Sequence, residues 1–96
     1  MPACYLVAQI DVRDPDAYEE YRPLAAASIA KHGGEYVVRG GEVTLVEGEG
    51  PLPRVVILKF PSKEKALAWY RSPDYAKALR IRLKAATSRS FLVEGP

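Results

Sequence analysis

Residues 32–43, HGGEYVVRGGEV, and residues 55–75, VVILKFPSKEKALAWYRSPDY, decide how this chain is read. The first stretch turns at Gly33-Gly34, runs on through β-branched residues and meets a second glycine pair at Gly40-Gly41. A strand from Glu35 to Glu47 is predicted, broken at the second pair by a β-bulge or sharp bend, because glycine weakens and re-aims strands. The second stretch begins as a strand over residues 54–60 and stops at Pro61. Ser62 can cap a helix running through Tyr70. Ser72-Pro73-Asp74 repeats the start signal and predicts a third helical segment to about Ala86, while EGEGPLP (47–53) forms the loop between the two strands.

Working outward, Tyr5 to Val12 is nearly continuously apolar and reads as the first strand. Asp14 can then cap a helix, Pro15 suits its first position, and Asp16, Glu19 and Glu20 complement the positive end of its dipole. Tyr18, Tyr21, Ala25, Ile29 and His32 recur at helical spacing up to Gly33-Gly34, where glycine closes the helix. Pro23 removes one hydrogen bond in mid-helix and predicts a kink. Ser88 to Glu94 is the last strand. The order β-α-β-β-α-α-β makes the chain α+β: a ferredoxin-like split β-α-β sandwich with a four-stranded antiparallel sheet and one extra helical segment, expected as one domain over residues 1–96.

Strand alternation puts Leu6, Ala8 and Ile10 on one face and Tyr5 and Val7 on the other, and in the third strand Val56, Leu58 and Phe60 against Val55 and Ile57. Both faces are apolar, although helices can cover only one. A second copy of the chain is the economical cover, so a homodimer is expected.

The totals exclude several function classes. Fourteen Lys and Arg against twelve Asp and Glu leave a formal charge of +2 with the signs interspersed, which gives no signal for nucleic acid. Cys4 is the one cysteine and His32 the one histidine, so no metal-ligand spacing exists and neither a metal nor a cofactor is expected. The N-terminal stretch has no basic region or apolar run of secretory kind, and nothing approaches the ~20 apolar residues of a membrane span. A cytoplasmic protein without a membrane partner is expected.

With DPDAYEEYRPLAAASIAKHGG (14–34) before the two opening stretches and FLVEGP (91–96) after them, nearly the whole chain resembles the family called domain of unknown function 1330. The resemblance implies a ferredoxin-like fold that pairs into a dimeric α/β barrel. That superfamily includes cofactor-independent monooxygenases, lactone isomerases, haem-degrading enzymes and ligand-sensing domains, which typically use a cavity between the helices and the concave side of the sheet. It carries over no catalytic residue. The chain also departs from the family pattern at Lys59, where an acidic residue is common.

Candidate site residues follow from residue chemistry. Any imidazole acid-base role must rest on His32, which also stands where a helix-end group is expected. Lys59, with Gln9, interrupts an apolar strand and faces either a cavity, the dimer seam or solvent. Arg39 stands before a glycine bend that permits close approach of an anion or of another backbone. Trp69 and Tyr70 are adjacent on a helix, so at least one should sit at the edge of the core and line a groove. Arg80, five residues beyond Tyr75, is expected near the open end of the fold. These six residues together predict a pocket for a small polar or anionic metabolite. The alternative is a non-catalytic dimerisation or sensor module acting through protein contacts.

Overall fold

Each helix of the chain begins on a side chain that accepts a hydrogen bond from the first turn. The computed structural model, which describes residues 2–96, shows Asp14 Oδ1 accepting from the Ala17 amide at 3.2 Å ahead of α1 (Pro15–Lys31), and Ser62 Oγ accepting from the Lys65 amide at 3.2 Å ahead of α2 (Lys63–Tyr70). Ser72 Oγ does the same for the Tyr75 amide ahead of α3 (Pro73–Ala85). Such a cap is worth ~1 kcal/mol and fixes where a helix starts.

The strands are β1 (Ala3–Val12), β2 (Glu35–Arg39), β3 (Arg54–Phe60) and β4 (Ala86–Gly95), joined antiparallel in the order β2-β3-β1-β4. Leu6 pairs with Leu58 on one side and Leu92 on the other, placing these three residues on the helix-covered face. Cys4, Leu6, Leu58 and Phe60 meet Ala25, Ile29, Ala66, Trp69 and Ala78 there and form the main core. α1 turns into β2 through Gly33, whose φ of +80° is readily adopted only by glycine. The next residue, Gly34, has no room for a side chain against the Phe60 ring.

Two expectations are corrected. The second strand ends at Arg39 instead of Glu47, and residues 40–53 form a long connection without regular structure. Although Val43 and Leu45 alternate like strand residues, β3 begins only at Arg54, and among the described residues none pairs with them in a ladder. The chain does bend at Gly40, whose φ is +73°, but the bulge offered as the alternative lies elsewhere. It falls between Tyr36 and Val38, which pair with the adjacent residues Leu58 and Ile57, so that Tyr36 and Arg39 share the helix-covered face.

The opposite face carries no helix. Phe91 is 50% and Val93 47% exposed there, beside Val7 and Ile57. Part of the connection reaches the central strand β1, where the Leu52 amide donates to Gln9 Oε1 at 3.2 Å.

Candidate functional site

Between α1, α3 and the sheet lies a cavity of about 50 Å³ that is partly open to the surface. The sheet supplies an apolar floor of Leu6, Ala8, Ile10, Val56 and Leu58. Four arginines line it: Arg22 from α1, Arg39 from β2, Arg54 from β3 and Arg82 from α3, of which Arg22 is paired through Nη1 with Glu19 Oε1 at 3.1 Å. Five phenols accompany them, from Tyr18, Tyr21, Tyr36, Tyr70 and Tyr75. Among the described residues no carboxylate and no histidine lines the cavity.

Arg82 is the deepest of the four. Only 6% of it is exposed, because Tyr75, Ala78, Arg82 and Ala85 form the buried stripe of α3. Its Nε donates to the Tyr75 hydroxyl at 3.3 Å and its Nη1 donates to Ser88 Oγ. The Tyr75 and Tyr21 hydroxyls are hydrogen-bonded at 2.8 Å. Burial works against the charge on Arg82, but the phenolic oxygens of Tyr75 and Tyr21 more than offset it and the guanidinium pKa is raised. Burial, then the neighbouring Tyr75, pushes the Tyr21 hydroxyl well above the usual phenol range, so it remains a hydrogen-bond donor at neutral pH.

Three of the guanidiniums sit over aromatic rings: Arg39 over Tyr36 at 4.3 Å, Arg54 over Tyr18 at 5.2 Å and Arg82 over Tyr21 at 5.9 Å. A cation over an aromatic face is attracted by its quadrupole while its edge donors stay available. Burial raises the pKa of both Tyr18 and Tyr36, and the guanidinium beside each works in the other direction. Trp69 is also part of the lining. Its indole Nε1 donates to Ser28 Oγ at 3.0 Å, Ser28 donates in turn to the Ala25 carbonyl, and the ring lies 4.2 Å from that of Tyr75.

Of the six residues singled out from sequence, Arg39, Trp69 and Tyr70 line this cavity. Trp69 is 2% exposed and Tyr70 37%, so the adjacent pair divides between core and edge. The other three lie elsewhere. His32 forms the C-cap of α1 and meets Asp74 at 3.3 Å, beside Lys31 on the same carboxylate at 3.2 Å. Lys59 pairs with Glu35 and Tyr5, on the face away from the helices, with its Nζ 6.0 Å from the Tyr5 ring centre. Arg80 is exposed on the outer side of α3. Sequence reasoning missed the arginines Arg22, Arg54 and Arg82, and helical spacing could have found Arg82. It stands seven residues from Tyr75 and therefore shares its face, whereas a separation of five rotates Arg80 away. No group of three or more His, Cys, Asp and Glu converges among the described residues.

The sequence matches, over residues 3–96, the profile of a family described as a domain of unknown function, DUF1330. This chain belongs to that family. No curated protein matches the DUF1330 chain. Among solved structures it is similar to a protein of unknown function from Rhodopseudomonas palustris, with 22% identity, coverage of 99% of this chain and 83% of that one, and a TM-score of 0.78. A cofactor-independent oxygenase from Streptomyces nogalater, SnoaB, aligns at 15% identity over 100% of this chain and 95% of its own, with a TM-score of 0.68. A dimeric ferredoxin-like protein from Thermobifida fusca aligns at 17% identity over 97% and 91%, with a TM-score of 0.67. Identities this low establish the ferredoxin-like fold and nothing about the reaction.

Proposed function

We propose that this DUF1330 protein binds a small organic anion in the cavity between α1, α3 and the sheet, through its own side chains, and works as a homodimer joined across the open sheet face. The observation that carries the first part is the charge inventory: the lining holds no carboxylate, and of its four arginines only Arg22 has a carboxylate partner, Glu19, among the described residues, while Arg82 is nearly fully buried. Arg82 is held by hydrogen bonds to Tyr75 and Ser88 with no carboxylate beside it in the lining, so its positive charge is left to attract an anion entering the cavity. The SnoaB oxygenase shares the fold, which supports treating this cavity as a place where a bound molecule can also be transformed.

The experiment is a thermal-shift series of carboxylic acids, each matched to its neutral amide, on the wild type and on Arg39→Ala and Arg82→Met. Acids should stabilise the wild type and amides should not, and each variant should lose about tenfold in affinity, the worth of one charge-assisted hydrogen bond. Equal stabilisation by acids and amides, or none by either, would replace this reading with that of a dimerisation or sensor module. The exposed Phe91 and Val93 support the assembly half, as does the dimeric neighbour from Thermobifida. An obligate interface of this kind buries about 2,000 Å² or more.

A further inference from the structure

We propose, resting on the anion-binding reading above, that the Tyr21 hydroxyl is a ligand-contacting donor of this cavity, its hydrogen turned to an acceptor oxygen of the bound anion because Arg82 and Tyr75 fix the direction of the hydrogen bonds behind it. A guanidinium donates and never accepts, so in the 3.3 Å contact with Arg82 Nε the Tyr75 oxygen is the acceptor. The Tyr75 hydroxyl keeps one hydrogen of its own. Tyr75 is 1% exposed, and the other partner of its hydroxyl among the described residues is the Tyr21 hydroxyl at 2.8 Å, a contact that by distance alone could run either way. If Tyr21 donated, the Tyr75 hydrogen would be buried without an acceptor, a costly state for a polar group away from water. Tyr75 therefore donates and Tyr21 accepts.

Tyr21 is left with an uncommitted hydrogen. No other hydrogen bond engages its hydroxyl among the described residues, and its side chain lines the cavity. Burial, followed by the neighbouring Tyr75, keeps the phenol protonated at neutral pH, so the hydrogen stays in place to be donated. The row from Arg82 through Tyr75 to Tyr21 starts at a cation, and each donation polarises the next, which strengthens the last O–H as a donor. The arginines of the lining select by charge, whereas Tyr21 selects by the lone pair it meets. Any oxyanion oxygen satisfies it, and a group that can only donate, such as an ammonium, sets hydrogen against hydrogen.

The probe is benzoate, with benzamide as its neutral counterpart, on protein whose tyrosines are isotopically labelled at Cζ and followed by carbon NMR. A phenol that donates to an anion takes on phenolate character, so saturating benzoate should move the Tyr21 Cζ resonance of the wild type towards the phenolate position. Tyr21→Phe assigns that resonance by its disappearance. The same variant, checked for folding by circular dichroism, should bind benzoate about tenfold more weakly, the worth of one hydrogen bond to a charged group. Tyr75→Phe keeps the Tyr21 hydroxyl but removes the donor behind it, and should reduce the movement of the Tyr21 resonance. If benzoate binds while that resonance stays in place, or if Tyr21→Phe binds it unchanged, this inference fails and the anion-binding reading stands on its arginines. If benzoate binds no better than benzamide, both fail. A resonance that moves equally in wild type and Tyr75→Phe would take Tyr75 and Arg82 out of the arrangement and overturn the inference.

Discussion

Arg82 and Tyr75 are joined by a hydrogen bond of 3.3 Å in a cavity where no carboxylate among the described residues balances the guanidinium charge. The arrangement separates what folds the protein from what the site needs. Replacing a buried charged group by a hydrophobic residue of similar size is often neutral or stabilising, because its desolvation cost disappears. Arg82→Met, which leaves Tyr75 paired with Tyr21, should therefore keep the unfolding free energy within about 1 kcal/mol of wild type while anion binding falls at least tenfold. Denaturant titration beside a binding assay reads both.

Gly34→Ala tests the packing between β2 and the core. An added Cβ would stand 2.6 Å from Phe60 Cε1 and 2.8 Å from Ile29 Cγ2, with neither side chain free to withdraw. Overpacking of this kind costs ~1–3 kcal/mol. The same substitution at Gly48, where nothing lies within 4 Å, meets only the strain of a φ of +77°. Calorimetry should rank Gly34→Ala well below Gly48→Ala in melting temperature.

Trp69→Phe keeps an aromatic ring but removes the indole donor to Ser28 Oγ. Ser28 still donates to the Ala25 carbonyl, so no buried hydrogen is stranded. A loss of ~1–2 kcal/mol is expected, from one hydrogen bond and a partial void. Trp69→Ala should cost ~3–5 kcal/mol. Chemical denaturation of the pair checks the ratio.

The cluster at the end of α1 sets a pH dependence of definite sign. Hydrogen bonds from Lys31 and His32 hold the Asp74 carboxyl below its ordinary range, although desolvation opposes them. A depressed folded pKa contributes stability that is present above the unfolded value and lost as pH falls through the folded one. Asp74→Asn should lower the melting temperature slightly at neutral pH, and the difference should vanish in acid. Because the group is exposed, the effect should shrink in high salt.

The assembly should respond to charge on the bare sheet face. Phe91→Asp or Val93→Asp places a carboxylate where each side chain is about half exposed in the single chain. Sedimentation should show dimers for the wild type at micromolar concentration and monomers for the variants. A wild type that sediments as a stable monomer would remove the homodimer from the proposal.

What the sequence made legible were the local devices. Asp14, Ser62 and Ser72 each precede a helix whose first-turn amide they accept, so helix starts could be read from a few adjacent residues. The two-sided alternation of β1 and β3 was equally plain, and the same alternation assigns Lys59 to the uncovered side. The site was harder because its charges converge from four elements. Arg22, Arg54 and Arg82 are far apart in the chain, and only the face each occupies brings them together. Residues 42–47 show the limit from the other direction, since strand-like alternation specifies a strand only where a partner lies alongside.

The bulge at Val37 has an arithmetic consequence. Successive strand residues alternate sides, so the parity of the interval between two positions decides whether they share one. Tyr36 and Arg39 are separated by an odd interval and would point in opposite directions on a regular strand, yet both reach the cavity because the bulge absorbs a residue between them. Deleting Val37 would make the interval even and leave Arg39 on the cavity side of a regular strand, whereas pairing the same residues without the bulge would send Arg39 out and draw Val38 in. Chains of this architecture with the same residues between the glycine turn and Arg39 but no bulge would thus differ in the charge of their cavities, however similar they look side by side.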